Sequence, residues 1–137
     1  MKNKICILIV DDDLILLESL KMQLESFLPS KYLLEAASSF EECVIICNDL
    51  VEQNIRIAIV ITDFNLENYK GTDVIRMIRN ANPNNINAIL TGQYDTIAIQ
   101  ELVNEIRLDF FFNKPWHFEE LKTFVEKSIE IYEKREN

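Results

Sequence analysis

The sequence predicts an α/β domain: one parallel five-stranded sheet with helices on both faces, five strand–helix units in all. Three observations carry this. Short apolar runs, rich in β-branched residues, alternate five times with stripes of helical period. The runs are continuous rather than alternating, as strands covered on both faces require. Each strand leads into a helical segment before the next strand, which selects right-handed crossovers and parallel pairing.

The first run is Ile5 to Val10, six apolar residues. Leu16, Leu17, Leu20, Leu24, Phe27 and Leu28 follow at helical spacing, and Pro29 closes that helix. Tyr32 to Ala37 reads as the second strand. Ser38 and Ser39, followed by Glu41 and Glu42, form a capping signal for the second helix. Residues 57–61 make a third, β-branched strand. After a loop through Gly71, the stripe Val74, Ile75 and Ile78 predicts a third helix ending near Pro83. Residues 86–90 form the fourth strand, and Ile99, Leu102, Val103 and Ile106 predict a fourth helix. Residues 108–112 are the fifth strand, and Phe118, Leu121, Val125, Ile129 and Tyr132 stripe a final helix. The domain is expected to span residues 1–131, with the polar 132–137 as a tail or the start of a linker.

Half-apolar composition over 137 residues is enough for one domain with its own core. Acidic residues outnumber basic ones by 23 to 14, for a net charge of -9. That field disfavours binding of nucleic acid or an anionic membrane. It leaves room for a phosphorylated ligand, because a bound cation reverses the field locally. No apolar segment has the length of a membrane span, and the first run ends in aspartates, unlike a signal peptide. Cys6, Cys43 and Cys47 are odd in number and lack metal-ligand spacing, so they read as ordinary thiols of a cytoplasmic protein.

In such a sheet the ligand site lies outside the carboxyl ends of the strands. Asp11, Asp12 and Asp13 follow the first strand. Thr62, Asp63, Phe64 and Asn65 follow the third, Thr91 and Gly92 the fourth, and Asn113, Lys114 and Pro115 the fifth. Carboxylates gathered on one rim repel unless a cation neutralises them. An all-oxygen donor set without His or Cys favours Mg²⁺. A lysine beside them supplies a point charge suited to a phosphoryl group, and an aspartate is a competent nucleophile for an aspartyl-phosphate. The residue types thus suit the positioning and charge neutralisation of a phosphoryl group in transfer.

The stretches "ILIVDDD", "IVITDFNLENYKG", "AILTG" and "FFFNKPW" occur in order at four strand ends. In these the chain resembles the receiver domain of two-component response regulators, the CheY-like superfamily. The resemblance implies a flavodoxin-like fold with strand order 2-1-3-4-5. It implies that Asp63 is the phosphoacceptor, that Asp11 and Asp12 hold Mg²⁺ together with Asp63, and that the backbone carbonyl of Asn65 is a further ligand. Thr91 and Lys114 would contact the phosphoryl group, Thr91 and Phe111 would form the switch pair, and Lys114–Pro115 would be a cis peptide. The implied function is a cytoplasmic phosphoacceptor switch, not an enzyme with an external substrate. Its partners would be a sensor histidine kinase or phosphotransfer protein and a downstream output domain or protein. The domain would bind neither nucleic acid nor membrane. A homodimer through the face of the fourth helix, fifth strand and fifth helix is a further expectation. The "TG" and "NKPW" variants are closest to receivers attached to transcriptional activators or cyclic-dinucleotide phosphodiesterases.

Two positions depart from the family pattern. Glu67 stands where Pro is frequent, and Ile106 stands where a helix-ending Gly is common. Asp13 reads as a helix cap, His117 as an exposed residue opening the last helix, and Trp116 as a packing residue. Two rival readings are weighed. A Mg²⁺-dependent phosphatase with an aspartyl nucleophile needs an acid two residues after it, and Asn65 stands there. A degenerate receiver, serving only as a binding module, would have lost Asp63, Lys114 or the acidic pair, and all are present.

Overall fold

The computed structural model describes residues 5–92, 100 and 105–136. Among these, seven strands and four helices follow one another. They are β1 (Ile5–Val10), α1 (Leu14–Glu25), β2 (Tyr32–Ala37), α2 (Phe40–Glu52), β3 (Arg56–Asp63), β4 (Asn65–Leu66), β5 (Tyr69–Lys70), α3 (Gly71–Ala81), β6 (Ile86–Thr91), β7 (Phe110–Asn113) and α4 (Phe118–Glu136). Five strands form one sheet in the order β2-β1-β3-β6-β7, all pairs parallel. The alternation predicts this parallel α/β sheet, and the resemblance implies its flavodoxin-like arrangement.

Two expectations need correction. The order 2-1-3-4-5 becomes 2-1-3-6-7, because a two-stranded antiparallel hairpin, β4–β5, intervenes between β3 and α3. Its strands are two residues long, too short to leave a period in the sequence. The helix count is four rather than five among the described residues. Of the fourth helix expected from Ile99, Leu102, Val103 and Ile106, the first three residues lie outside them, while the described Gln100 and Glu105 are helical.

Side-chain alternation explains the layers. Cys6, Leu8 and Val10 of β1 pack beneath α2 and α3, while Ile7 and Ile9 pack beneath α1 and α4. Both faces of β1 are therefore buried, which is why its sequence is apolar without a break. The β1–β3 register shifts between Cys6 and Ile7, so Ala58 is skipped in the pairing. No described helix is long and apolar enough to cross a membrane.

The helix ends follow from local chemistry. Asp13 caps α1, its carboxylate accepting from the amides of Ile15 (3.0 Å) and Leu16 (3.2 Å), as expected. Ser39 Oγ accepts from Glu42 N at 3.1 Å, and Glu42 Oε1 reaches back to Ser38 N at 2.9 Å. The last helix runs to Glu136, and Tyr132 within it is buried. The Tyr132 hydroxyl accepts from Asn82 Nδ2 (2.9 Å) and donates to Glu136 Oε1 (3.0 Å), and Arg56 pairs with Glu136 at 2.6 Å.

The absence of glycine at Ile106 has a specific solution. Arg107 itself takes the left-handed conformation, φ 53°. The Arg79 guanidinium of α3 donates to the carbonyls of Ile106 and Arg107, the latter at 3.0 Å. A side chain from a neighbouring helix thus satisfies acceptors that a glycine turn commonly satisfies with backbone amides. Burial and the nearby Arg107 charge lower the Arg79 pKa.

Candidate functional site

The sheet delivers its polar residues to one rim, because parallel strands share a carboxyl end. Asp63 is the last residue of β3, and Thr91 the last of β6. Asp11 follows β1 directly, and Lys114 follows β7. Asp11 is wholly buried, Asp12 is exposed and Asp63 is half-buried. Carboxylate oxygens of all three lie within 4.8 Å of one another. Lys114 Nζ bridges two of them, 3.1 Å from Asp11 Oδ2 and 3.1 Å from Asp63 Oδ1.

Two carboxylates this close to one ammonium still leave excess negative charge. Burial, then the Asp11 charge, raises the Asp63 pKa, and Lys114 only partly opposes the shift. For Lys114, burial alone would lower the pKa, but Asp63 and Asp11 together outweigh it and the net shift is upward. Asp11 Oδ1 accepts from Asp13 N at 2.9 Å. Its buried Oδ2 stands 3.1 Å from the lysine ammonium and lacks an aligned hydrogen-bond partner among the described residues. A buried carboxylate oxygen left so incompletely satisfied, beside two more carboxylates, fits a hard divalent cation.

The remaining predicted residues sit around this cluster. The Thr91 hydroxyl donates to the Gly92 carbonyl at 3.0 Å, and Thr91 O accepts from Lys114 N at 2.8 Å. Phe111 pairs with Ile89 across the ladder and is half-buried against the α2–α3 side of the core. The side chain of Asn65, two residues beyond Asp63, accepts from Lys70 Nζ at 2.6 Å. The Lys114–Pro115 peptide is cis. His117 is exposed and opens α4 through its carbonyl, which accepts from Leu121 N at 3.1 Å. The three thiols are buried, and burial raises their pKa, so they are poor nucleophiles.

Comparison with known proteins places this chain in a family. A family model for the response regulator receiver domain matches residues 7–126. The chain belongs to the response regulator receiver domain family. Its members are signalling switches of two-component systems. A structure described as adenylate cyclase from Rhodopirellula baltica is 29% identical, with a TM-score of 0.78 over 96% of this chain and 90% of that one. A response regulator receiver domain protein from Clostridium thermocellum is 26% identical, with a TM-score of 0.77 over 91% and 94%. A receiver domain protein (CheY-like) from Methanospirillum hungatei JF-1 is 25% identical, with a TM-score of 0.77 over 98% and 99%. No curated protein matches the chain.

One residue that shapes the receiver's site was missed in the sequence. Gly71 opens α3, and its amide donates to Phe64 O at 2.8 Å. A Cβ there would stand 2.3 Å from the Asp63 carbonyl oxygen. Glycine is therefore required by close approach of two backbones. The available signal was its position at the start of a helix, between the acceptor loop and the apolar stripe.

Proposed function

We propose that this receiver is a phosphoacceptor switch in which Asp63 takes a phosphoryl group from a phosphohistidine donor. A carboxylate oxygen of Asp63 attacks phosphorus. The P–N bond breaks, its electron pair returns to the imidazole, and an aspartyl-phosphate remains. The observation that carries the reading is the Lys114 ammonium held 3.1 Å from both Asp63 and buried Asp11. A fixed cation next to the acceptor oxygen stabilises the charge of the entering phosphoryl group without reorganisation. A bound Mg²⁺ would be held by Asp11, Asp12, Asp63 and the Asn65 carbonyl, and would supply the charge neutralisation these acids lack.

The switch is assigned to Thr91 and Phe111. With a phosphoryl group on Asp63, the Thr91 hydroxyl gains a charge-assisted acceptor in place of the Gly92 carbonyl. Its displacement frees volume, and half-buried Phe111 turns inward. The ring carries no hydroxyl needing hydration, so the inward state is already populated and phosphorylation shifts that population. Structures with and without a phosphoryl mimic check this; unchanged Thr91 and Phe111 in both would refute the coupling.

The acceptor itself is tested by mass spectrometry after incubation with acetyl phosphate and Mg²⁺. Wild type should gain the mass of one phosphate and Asp63→Asn none. An equal gain in Asp63→Asn would place the acceptor elsewhere.

A further inference from the structure

We propose that Trp116, held by Gln23, is a positioning residue for Lys114. The lysine must span two carboxylates at once, so its backbone has to be fixed on both sides. On the preceding side Lys114 N is bonded to Thr91 O at 2.8 Å. On the following side Pro115 has no N–H to offer. Among the described residues, the hydrogen bond that anchors this link is Trp116 Nε1 to Gln23 Oε1, at 2.8 Å and partly buried. The indole also packs against the core layer shared by α1 and α4. Without that anchor the stem of a side chain rich in rotamers is held only from the Thr91 side and by the two carboxylates it spans.

Helix α1 makes the contact informative. Its first turn is tied to the acidic side of the site, since Asp13 caps it and Asp13 N donates to Asp11 Oδ1 at 2.9 Å. Gln23 lies near its other end. The same rigid helix therefore fixes the carboxylate that Lys114 pairs with and the loop that carries Lys114. The gap between Lys114 and Asp11 is set through α1 rather than by sheet pairing alone.

The consequence for phosphoryl transfer rests on the phosphoacceptor reading, whereas the placement of Lys114 is testable without it. Competitive acylation of lysine amines with acetic anhydride, read by mass spectrometry, reports Lys114 against exposed Lys31 in one sample. Gln23→Met keeps the side-chain size and removes the acceptor, Gln23→Glu keeps an acceptor, and Trp116→Phe keeps the packing and removes the donor. Lys114 labelling should rise about three- to tenfold in Gln23→Met and Trp116→Phe, the population change that one hydrogen bond of ordinary worth carries. It should stay near wild type in Gln23→Glu. Equal Lys114 labelling in all four proteins would overturn the proposal. So would a uniform rise at every lysine, which reports general loosening of the fold. Phosphate uptake by wild type from acetyl phosphate then separates the two ideas: its failure counts against the phosphoacceptor reading and leaves the labelling result standing, whereas with uptake present Gln23→Met should be slower.

Discussion

Replacing Gly71 by alanine tests how tightly the acceptor strand is clamped. The added Cβ would meet the Asp63 carbonyl oxygen at 2.3 Å, the Asp63 carbonyl carbon at 3.2 Å and Thr62 Cγ2 at 3.1 Å. Two of these are backbone atoms, which no rotamer change can move aside. The oxygen contact must open to at least about 3.0 Å, so either β3 or the start of α3 is displaced. Displacement also stretches the 2.8 Å bond from Gly71 N to Phe64 O. Alanine favours a helix interior over glycine by about 1 kcal/mol, whereas overpacking costs about 1–3 kcal/mol. The helix gain is smaller at a first helical position, so the clash wins and Gly71→Ala should lose about 1–2 kcal/mol. For a domain of this size that lowers the melting temperature by roughly 3–8 °C. The shift acts on the Asp63 peptide, so phosphate uptake from acetyl phosphate should slow as well. Urea denaturation and the uptake rate measure the two effects. A Gly71→Ala protein as stable and as fast as wild type would refute the close-approach argument.

Magnesium should stabilise the fold by about 2.7 kcal/mol at a concentration 100 times its dissociation constant; melts with and without it should differ in wild type and coincide in Asp12→Ala. The pH dependence has a defined sign. Asp63 binds its proton more readily folded than unfolded, because burial and Asp11 raise its pKa. Its contribution is therefore favourable below the ordinary carboxylate range and is lost as pH rises through the raised value. Without metal, Asp63→Asn should be more stable than wild type at neutral pH, and the difference should close on acidification; a difference independent of pH in urea titrations would contradict this. Arg79→Met should cost about 1 kcal/mol, chiefly through the part-buried Ile106 carbonyl, since water can replace the donor at the exposed Arg107 carbonyl. Arg107→Gly should gain about 1 kcal/mol by relieving a left-handed residue, both read by denaturant midpoint.

The sheet and the make-up of its rim were readable from local sequence. Continuous runs such as Ile5–Val10 are local signals of two-sided burial, and strand direction alone brings the residues after each run to one end. Asp11, Asp12, Asp63, Thr91 and Lys114 therefore read as one constellation in the sequence. Tertiary structure decided what depends on partners distant in the chain. The β4–β5 hairpin is too short to carry a period. The need for glycine at position 71 comes from the Asp63 carbonyl across a tight loop closure. The cap on 106–107 comes from Arg79 on another helix, and the anchor of Trp116 from Gln23, 93 residues away. Side-chain periodicity records which face of an element is buried. It does not record which atom of another element will stand opposite, because that is fixed only when the layers close on each other.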